Sequence, residues 1–347
     1  MRDTSDEPPI RYARASDGLN IAFCTLGEGP PLVHMPGFPV SHLRREWENQ
    51  ACRAYLCLLA TERLLVRYDS RGTGLSERIF DDLSIEGHLR DLQAVVDTLG
   101  IRRFALVGLT HLGPAAITYA ERYPERVSHL ILMYTYARAS DYSRARRVGA
   151  SRSLVERDWE LYTEMAGRSI RDMADESVSR EYIAYLRESN TARGTVAAFE
   201  AIGGYDATEL LPRIHCPTLV LQRRASRVLS TGVAHELSAR IPDSRLVVVE
   251  GRSLAPFIED VDGVVSAIDG FLGEGLNAGR LDGLTPREIQ VLRLIAGGRS
   301  NREIAADLAL AERSVARHIT NIYNKIDARS KADATAYAFR HDLVESS

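Results

Sequence analysis

No stretch of this chain approaches the roughly 20 consecutive apolar residues that a membrane-crossing helix requires, and the start, MRDTSDEPP, lacks the apolar core of a secretory signal. A soluble, cytoplasmic protein is therefore expected. Cysteine is scarce: Cys24, Cys52, Cys57 and Cys216 form no Cys-x-x-Cys pair and no closely spaced Cys/His set. That argues against a zinc site or a disulfide framework and for buried free thiols, with no metal and no cofactor expected. Charge of one sign is also missing, since 44 Lys and Arg face 47 Asp and Glu for a net charge of -3. No global basic field exists, so any nucleic-acid binding has to come from a local surface. Repeats and biased tracts are absent apart from the short polar start, and 45% hydrophobic with 26% charged residues are globular proportions. A length of 347 residues points to one large and one small domain.

The last part, from Leu284, has helical patterning throughout. Thr285, Pro286 and Glu288 form a helix start with a capping box and proline at the first helical position. Leu292, Ile295 and Ala296 supply the apolar stripe, and Gly297-Gly298 stops it. Ser300 with Glu303 is a second capping box, opening a helix of only about two turns from Asn301. In a third helix Val315, Ile319, Ile322 and Ile326 step along one face and are expected in the core, whereas the other face carries Ser314, Ala316, Arg317, Thr320, Asn321, Asn324 and Lys325. These side chains are small, hydrogen-bonding or positive, with no acid among them. The major groove of double-stranded DNA accepts such a face, because phosphates need donors and base edges are read by arginine, serine, threonine and asparagine. The competing reading is a helical bundle for protein contacts with a merely solvated charged face. Ser330 and Asp333 open a fourth helix, where Ala334, Tyr337 and Ala338 are candidates to face a partner subunit. His318 is expected to be packed or bonded to backbone.

This stretch resembles the LuxR-type helix-turn-helix, through Leu284-Thr285-x-Arg287-Glu288, Ser300-Asn301-x-Glu303-Ile304-Ala305 and Ser314-Val315-x-x-His318-x-x-Asn321-Ile322-x-x-Lys325. The resemblance implies base contacts from Ala316, Arg317 and Thr320, with Asn301 and Lys325 toward the DNA backbone. Ala311 stands where that family usually has a capping serine, and Ala316 where a lysine is common.

Ahead of it, residues 10–273 alternate strand and helix patterns, which argues a parallel or mixed sheet covered on both faces. Eight strands are expected: two around the turn at Asp17-Gly18, then near Pro31, Leu64, Phe104, His129, Thr218 and Arg245. A polar, helix-rich insertion at about 139–207 reads as a cap over the strand ends. The order resembles the α/β-hydrolase fold, on His34-Met35-Pro36-Gly37-Phe38 at the oxyanion loop, Asp69-Ser70-Arg71-Gly72-Thr73-Gly74-Leu75-Ser76, and Val107-Gly108 before a helix ending in Tyr123-Pro124-Glu125-Arg126-Val127. The expected architecture is thus a tail at 1–9, a hydrolase-like α/β domain at 10–273, a linker at 274–282 and an all-α DNA-binding domain at 283–347.

Against the family's pattern, the nucleophile turn Gly-x-Ser-x-Gly reads Gly108-Leu109-Thr110-His111-Leu112. The acid's place holds Ser226, after Arg223-Arg224-Ala225, and the histidine's place holds Leu254, in Gly251-Arg252-Ser253-Leu254. Substitution at all three positions removes nucleophile, base and orienting acid together, so hydrolysis is expected to be absent or residual. The hydrolase cavity is expected to persist without the triad, lined by Gly37, Phe38, Thr110, His111, Tyr134 and Leu254, with Trp47, Trp159 and Tyr136 as further candidates. The resulting expectation is a homodimeric DNA-binding regulator that responds to a small apolar effector. Two alternatives remain: a DNA-bound hydrolase with Thr110 as an atypical nucleophile, and a hydrolase-fold scaffold used only for dimerisation; His111 beside Thr110 is expected to pack or bond in the pocket.

Overall fold

A computed structural model of the chain describes residues 7–78, 81–142, 152–171, 176–226, 228–274, 284, 286–308, 312–341 and 343. Most of the expected tail at 1–9, the linker at 274–282 apart from Glu274, and the capping positions Thr285 and Ala311 lie outside the described residues. The chain divides into two compact units, Met1–Val264 and Val265–Ser347.

The first unit is built on one sheet of eight strands: β1 Arg11–Arg14, β2 Asn20–Leu26, β3 Pro31–His34, β4 Leu64–Tyr68, β5 Phe104–Leu109, β6 Val127–Met133, β7 Thr218–Arg223 and β8 Ser244–Val249. Their spatial order is β1-β2-β4-β3-β5-β6-β7-β8. β2 runs antiparallel to both its neighbours, and every later pair is parallel. All eight expected strands are present. The hairpin turns at Gly18, whose φ of 90° suits a residue without Cβ. Every side chain of β5 is buried, so helices cover both faces, which is why the central strands read as continuous apolar runs rather than alternating ones.

Helices α1 Leu43–Glu48 and α2 Gln50–Leu59 connect β3 to β4, α3 Ile85–Thr98 follows β4, and α4 Gly113–Arg122 follows β5. After β6 the chain leaves the sheet at Arg138 and returns at Asp206. These two residues form an isolated bridge, with Ala139 N–H donating to the Tyr205 carbonyl and Ala207 N–H to that of Ala137, each at 2.9 Å. The insertion is therefore stapled at its base. It carries α5 Trp159–Arg171, α6 Glu176–Ser189 and α7 Ala192–Gly203, and α8 Thr231–Arg240 and α9 Val261–Glu274 follow after β7 and β8.

The Asp69-x-Arg71-Gly72-x-Gly74-x-Ser76 turn at the end of β4 holds together through its own chemistry. The buried Asp69 carboxylate accepts from Leu43 N–H at 3.1 Å and Leu75 N–H at 2.8 Å. A Cβ on Gly74 would fall 2.2 Å from that carboxylate, so only glycine lets the chain pass. Arg71 is buried between Asp91 at 2.7 Å and Asp17 at 2.9 Å, a charge kept in the interior because it is paired on two sides. Burial still pushes the Asp69 carboxyl up to about 7 and that of Asp91 to about 6.

In the second unit α10 Pro286–Ala296, α11 Asn301–Asp307, α12 Glu312–Lys325 and α13 Lys331–Arg340 enclose Val291, Leu292, Ile295, Ile304, Val315 and Ile322. α10 stops at Gly298, where φ is 84° and Arg299 N–H returns to the Leu294 carbonyl at 3.0 Å. α11 carries the full Ser300–Glu303 capping box, and Ser330 caps α13 through Asp333 N–H.

Candidate functional site

The first candidate is a cavity of about 920 Å³ bounded by the strand ends and the insertion. Its wall includes Gly37, Phe38, Thr110, His111 and Leu254, five of the six residues assigned to it from sequence, and Trp159 of the cap. Tyr134, Trp47 and Tyr136 are not on that wall. Tyr134 lies fully buried under the Arg223 guanidinium, 5.1 Å from its ring centre, which corrects its placement as a ligand contact. Tyr136 lies behind His111.

At the elbow, Thr110 has a φ of 47°, an unfavourable conformation for a β-branched residue. It is held from behind: Thr135 Oγ1 donates to the Thr110 carbonyl, and α4 approaches closely enough that a Cβ on Gly108 would lie 2.5 Å from the Ala116 methyl. Gly113 supplies the second close approach, with a Cβ there falling 1.9 Å from Thr135 Oγ1. The elbow thus keeps its sharp turn with Leu112 buried in the position next to Gly113. His111 Nδ1 is 2.5 Å from the Tyr136 hydroxyl, its ring packs between Tyr136 and Tyr142, and burial pushes the imidazole down to about 4.

Past β7, Ser226 Oγ accepts from Val228 and Leu229 N–H at 3.3 and 3.2 Å, so it closes its own turn. Past β8, Glu259 accepts from Arg252 and Ser253 N–H, both at 2.6 Å, and presents Leu254 to the cavity. Sequence reasoning missed the residue that joins these loops. Arg223, fully buried at the end of β7, donates to the carbonyls of Ser253, Glu250 and Glu259 at 3.1, 2.6 and 2.5 Å. The only signal in the chain was an arginine at the end of a strand with an apolar centre. No group of His, Cys, Asp and Glu suited to a metal ion occurs among the described residues.

The second candidate is the outer face of α12. Ala316, Arg317, Thr320, Asn321 and Asn324 are exposed on it, Asn301 is exposed at the start of α11, and the Ser314 side chain lies outside the described ones. Thr320 Oγ1 donates to the Ala316 carbonyl at 3.1 Å, leaving its lone pairs to accept. His318 is buried, in line with a packed role. One residue gains a partner and one assignment changes. Lys325 Nζ is 2.7 Å from Glu288, whose side chain is only 4% exposed, so this lysine ties α12 to α10 while 36% of its own side chain stays exposed. Ala334, Tyr337 and Ala338 are buried in the unit's own core, because α13 packs on α10, and cannot face a partner. The exposed apolar residues of α13 are instead Ala332, Ala336 and Phe339, beside the exposed Lys331, Asp333 and Arg340.

Comparison with known proteins matches residues 30–260 to the alpha/beta hydrolase fold family and residues 282–338 to the bacterial regulatory proteins of the luxR family. AB hydrolase superfamily protein YisY of Bacillus subtilis is 24% identical over 268 residues, 75% of this chain and 98% of YisY. Transcriptional regulatory protein LiaR of Bacillus subtilis is 43% identical over 70 residues, 20% of this chain and 33% of LiaR, so the likeness is to one domain of that regulator. Among solved structures, a thermophilic esterase from Thermogutta terrifontis superposes with a TM-score of 0.64 at 25% identity, over 77% of this chain and 98% of the esterase.

Proposed function

The chain belongs to the alpha/beta hydrolase fold family and ends in a LuxR-type DNA-binding regulator domain, and from that premise we propose that it is a transcription regulator whose hydrolase-fold domain senses a small apolar molecule without hydrolysing it. Fold alone does not carry activity, so the reading rests on the site. Its main support is Arg223. The segments in which relatives hold the acid and the histidine are here pinned by one guanidinium through three backbone carbonyls, with Ser226 and Leu254 at the critical positions. Nothing at those positions can take the Thr110 proton or orient a base. His111, the nearest imidazole in sequence, has Nδ1 engaged by Tyr136, and burial lowers its basicity.

The cavity remains because the sheet ends and the stapled insertion shape it, not the triad. A bound molecule then alters operator affinity by a coupling of about 1 to 3 kcal/mol, or about 5- to 150-fold. One helix-turn-helix offers few phosphate contacts, so useful affinity calls for a homodimer on paired half-sites, with the exposed Ala332, Ala336 and Phe339 edge of α13 as the pairing surface. Such a protein works in the compartment that holds DNA, and no described helix is long and apolar enough to cross a membrane.

The test is turnover of a p-nitrophenyl butyrate series by the full chain and by Thr110→Ala, with operator binding measured alongside. Equal background rates from both proteins are expected. Turnover that Thr110→Ala abolishes would instead establish the DNA-bound hydrolase.

A further inference from the structure

The cavity wall also carries a polar cluster from β3, β4 and the helices over them. His34 closes β3 and is the register partner of Arg67 on β4, so these adjacent parallel strands project both side chains to one face of the sheet. Arg67 pairs there with Glu46 of α1, and the Tyr185 hydroxyl of α6 donates to Glu46 at 2.7 Å. α2 supplies Tyr55, whose ring meets that of His34 edge-on at 6.3 Å. All five side chains are on the cavity wall.

Two polar atoms of this group, His34 Nε2 and the Tyr55 hydroxyl, are buried and have no hydrogen-bond partner among the described residues. The chemistry of each can be stated. His34 Nδ1 is 2.9 Å from the Met35 carbonyl, which can only accept, so Nδ1 carries the ring proton. Burial pushes the imidazole down to about 4, so near neutral pH the ring is uncharged and Nε2 is a bare acceptor. Beside it, the tyrosine can donate or accept. The neighbouring charges cancel as Arg67 and Glu46, and an added charge would meet a desolvation cost with no free partner to offset it. Across the cavity the insertion contributes Trp159, Tyr162 and Phe199.

We propose that the effector is an amphipathic molecule with an uncharged hydroxyl or N–H donor at one end, seated on His34 Nε2 and the Tyr55 hydroxyl, and an apolar body against the aromatic wall of the cap. This rests on the sensor reading and narrows it: pure hydrocarbons and anions bind worse than neutral alcohols, phenols or amides of the same shape. Leaving a buried acceptor unpaired is what discriminates.

The test titrates the full chain by calorimetry with 4-pentylphenol, 4-pentylanisole and 4-pentylbenzoate. The phenol should bind about tenfold more tightly than its methyl ether. Tyr55→Phe, which removes one oxygen and keeps the ring, should lower phenol affinity toward that of the ether and leave ether binding unchanged, and His34→Phe should do the same. Equal affinity for phenol and ether, tightest binding of the benzoate, or indifference of the phenol to Tyr55→Phe would overturn the polar-end inference while leaving the sensor reading in place. Failure of all three compounds to bind would remove the sensor reading and this inference with it.

Discussion

Thr110 and Arg223 act on stability in opposite ways. Thr110 sits at a φ of 47°, which a β-branched side chain tolerates poorly, and the surrounding packing maintains the turn. Thr110→Gly is therefore expected to raise stability by about 1 kcal/mol in urea unfolding, by relieving that conformation. Arg223 acts the other way, as a buried charge satisfied by three carbonyls. Its replacement in Arg223→Met strands those acceptors and should cost about 3 kcal/mol by the same measurement, with ester turnover staying at background. His88 is buried with Nε2 3.0 Å from the Tyr205 hydroxyl, and burial together with nearby Arg71 pushes it down to about 3. A base whose folded pKa is depressed stabilises above its unfolded value, and the stability is lost as pH falls from 6.5 toward about 3. Wild type should therefore lose more stability than His88→Gln between about pH 7 and about pH 5, which thermal melts of both proteins will register.

Helix α12 divides its work between two faces, and substitutions on each should separate folding from recognition. Lys325 belongs to the inner side through Glu288, so Lys325→Met should lower the melting temperature of the C-terminal unit, with a cost of about 1 kcal/mol given the lysine's partial exposure. Arg317 belongs to the outer side. Arg317→Ala should retain helicity by circular dichroism yet weaken operator binding about tenfold and shift base preference. A base-independent loss would assign Arg317 to phosphate instead. The Lys325–Glu288 pair has a plain cause: seen along the helix, position 325 continues the polar stripe, and only the fold of α10 against α12 brings the buried Glu288 within 2.7 Å of it. The same holds for α13, whose small residues looked available for a partner until packing against α10 claimed Ala334, Tyr337 and Ala338.

For the molecule as a whole, pairing through α13 predicts that Phe339→Glu yields a monomer by light scattering with operator affinity reduced at least about tenfold, since two linked half-sites bind far more tightly than one. An unchanged dimer would move the interface elsewhere. The broad architecture was legible in the residues because its signals are local: the apolar runs of buried parallel strands, capping boxes such as Ser300 with Glu303, and glycines where φ is positive or another segment comes close. What the residues could not disclose were relations across long separations. Arg223 reaches Ser253 and Glu259, Arg67 meets Glu46 and Tyr185 beside His34, and Tyr134 turns under a guanidinium instead of into the cavity. Such meetings are set by strand register and helix docking, which bring side chains from distant segments into hydrogen-bond reach, and no local pattern encodes them.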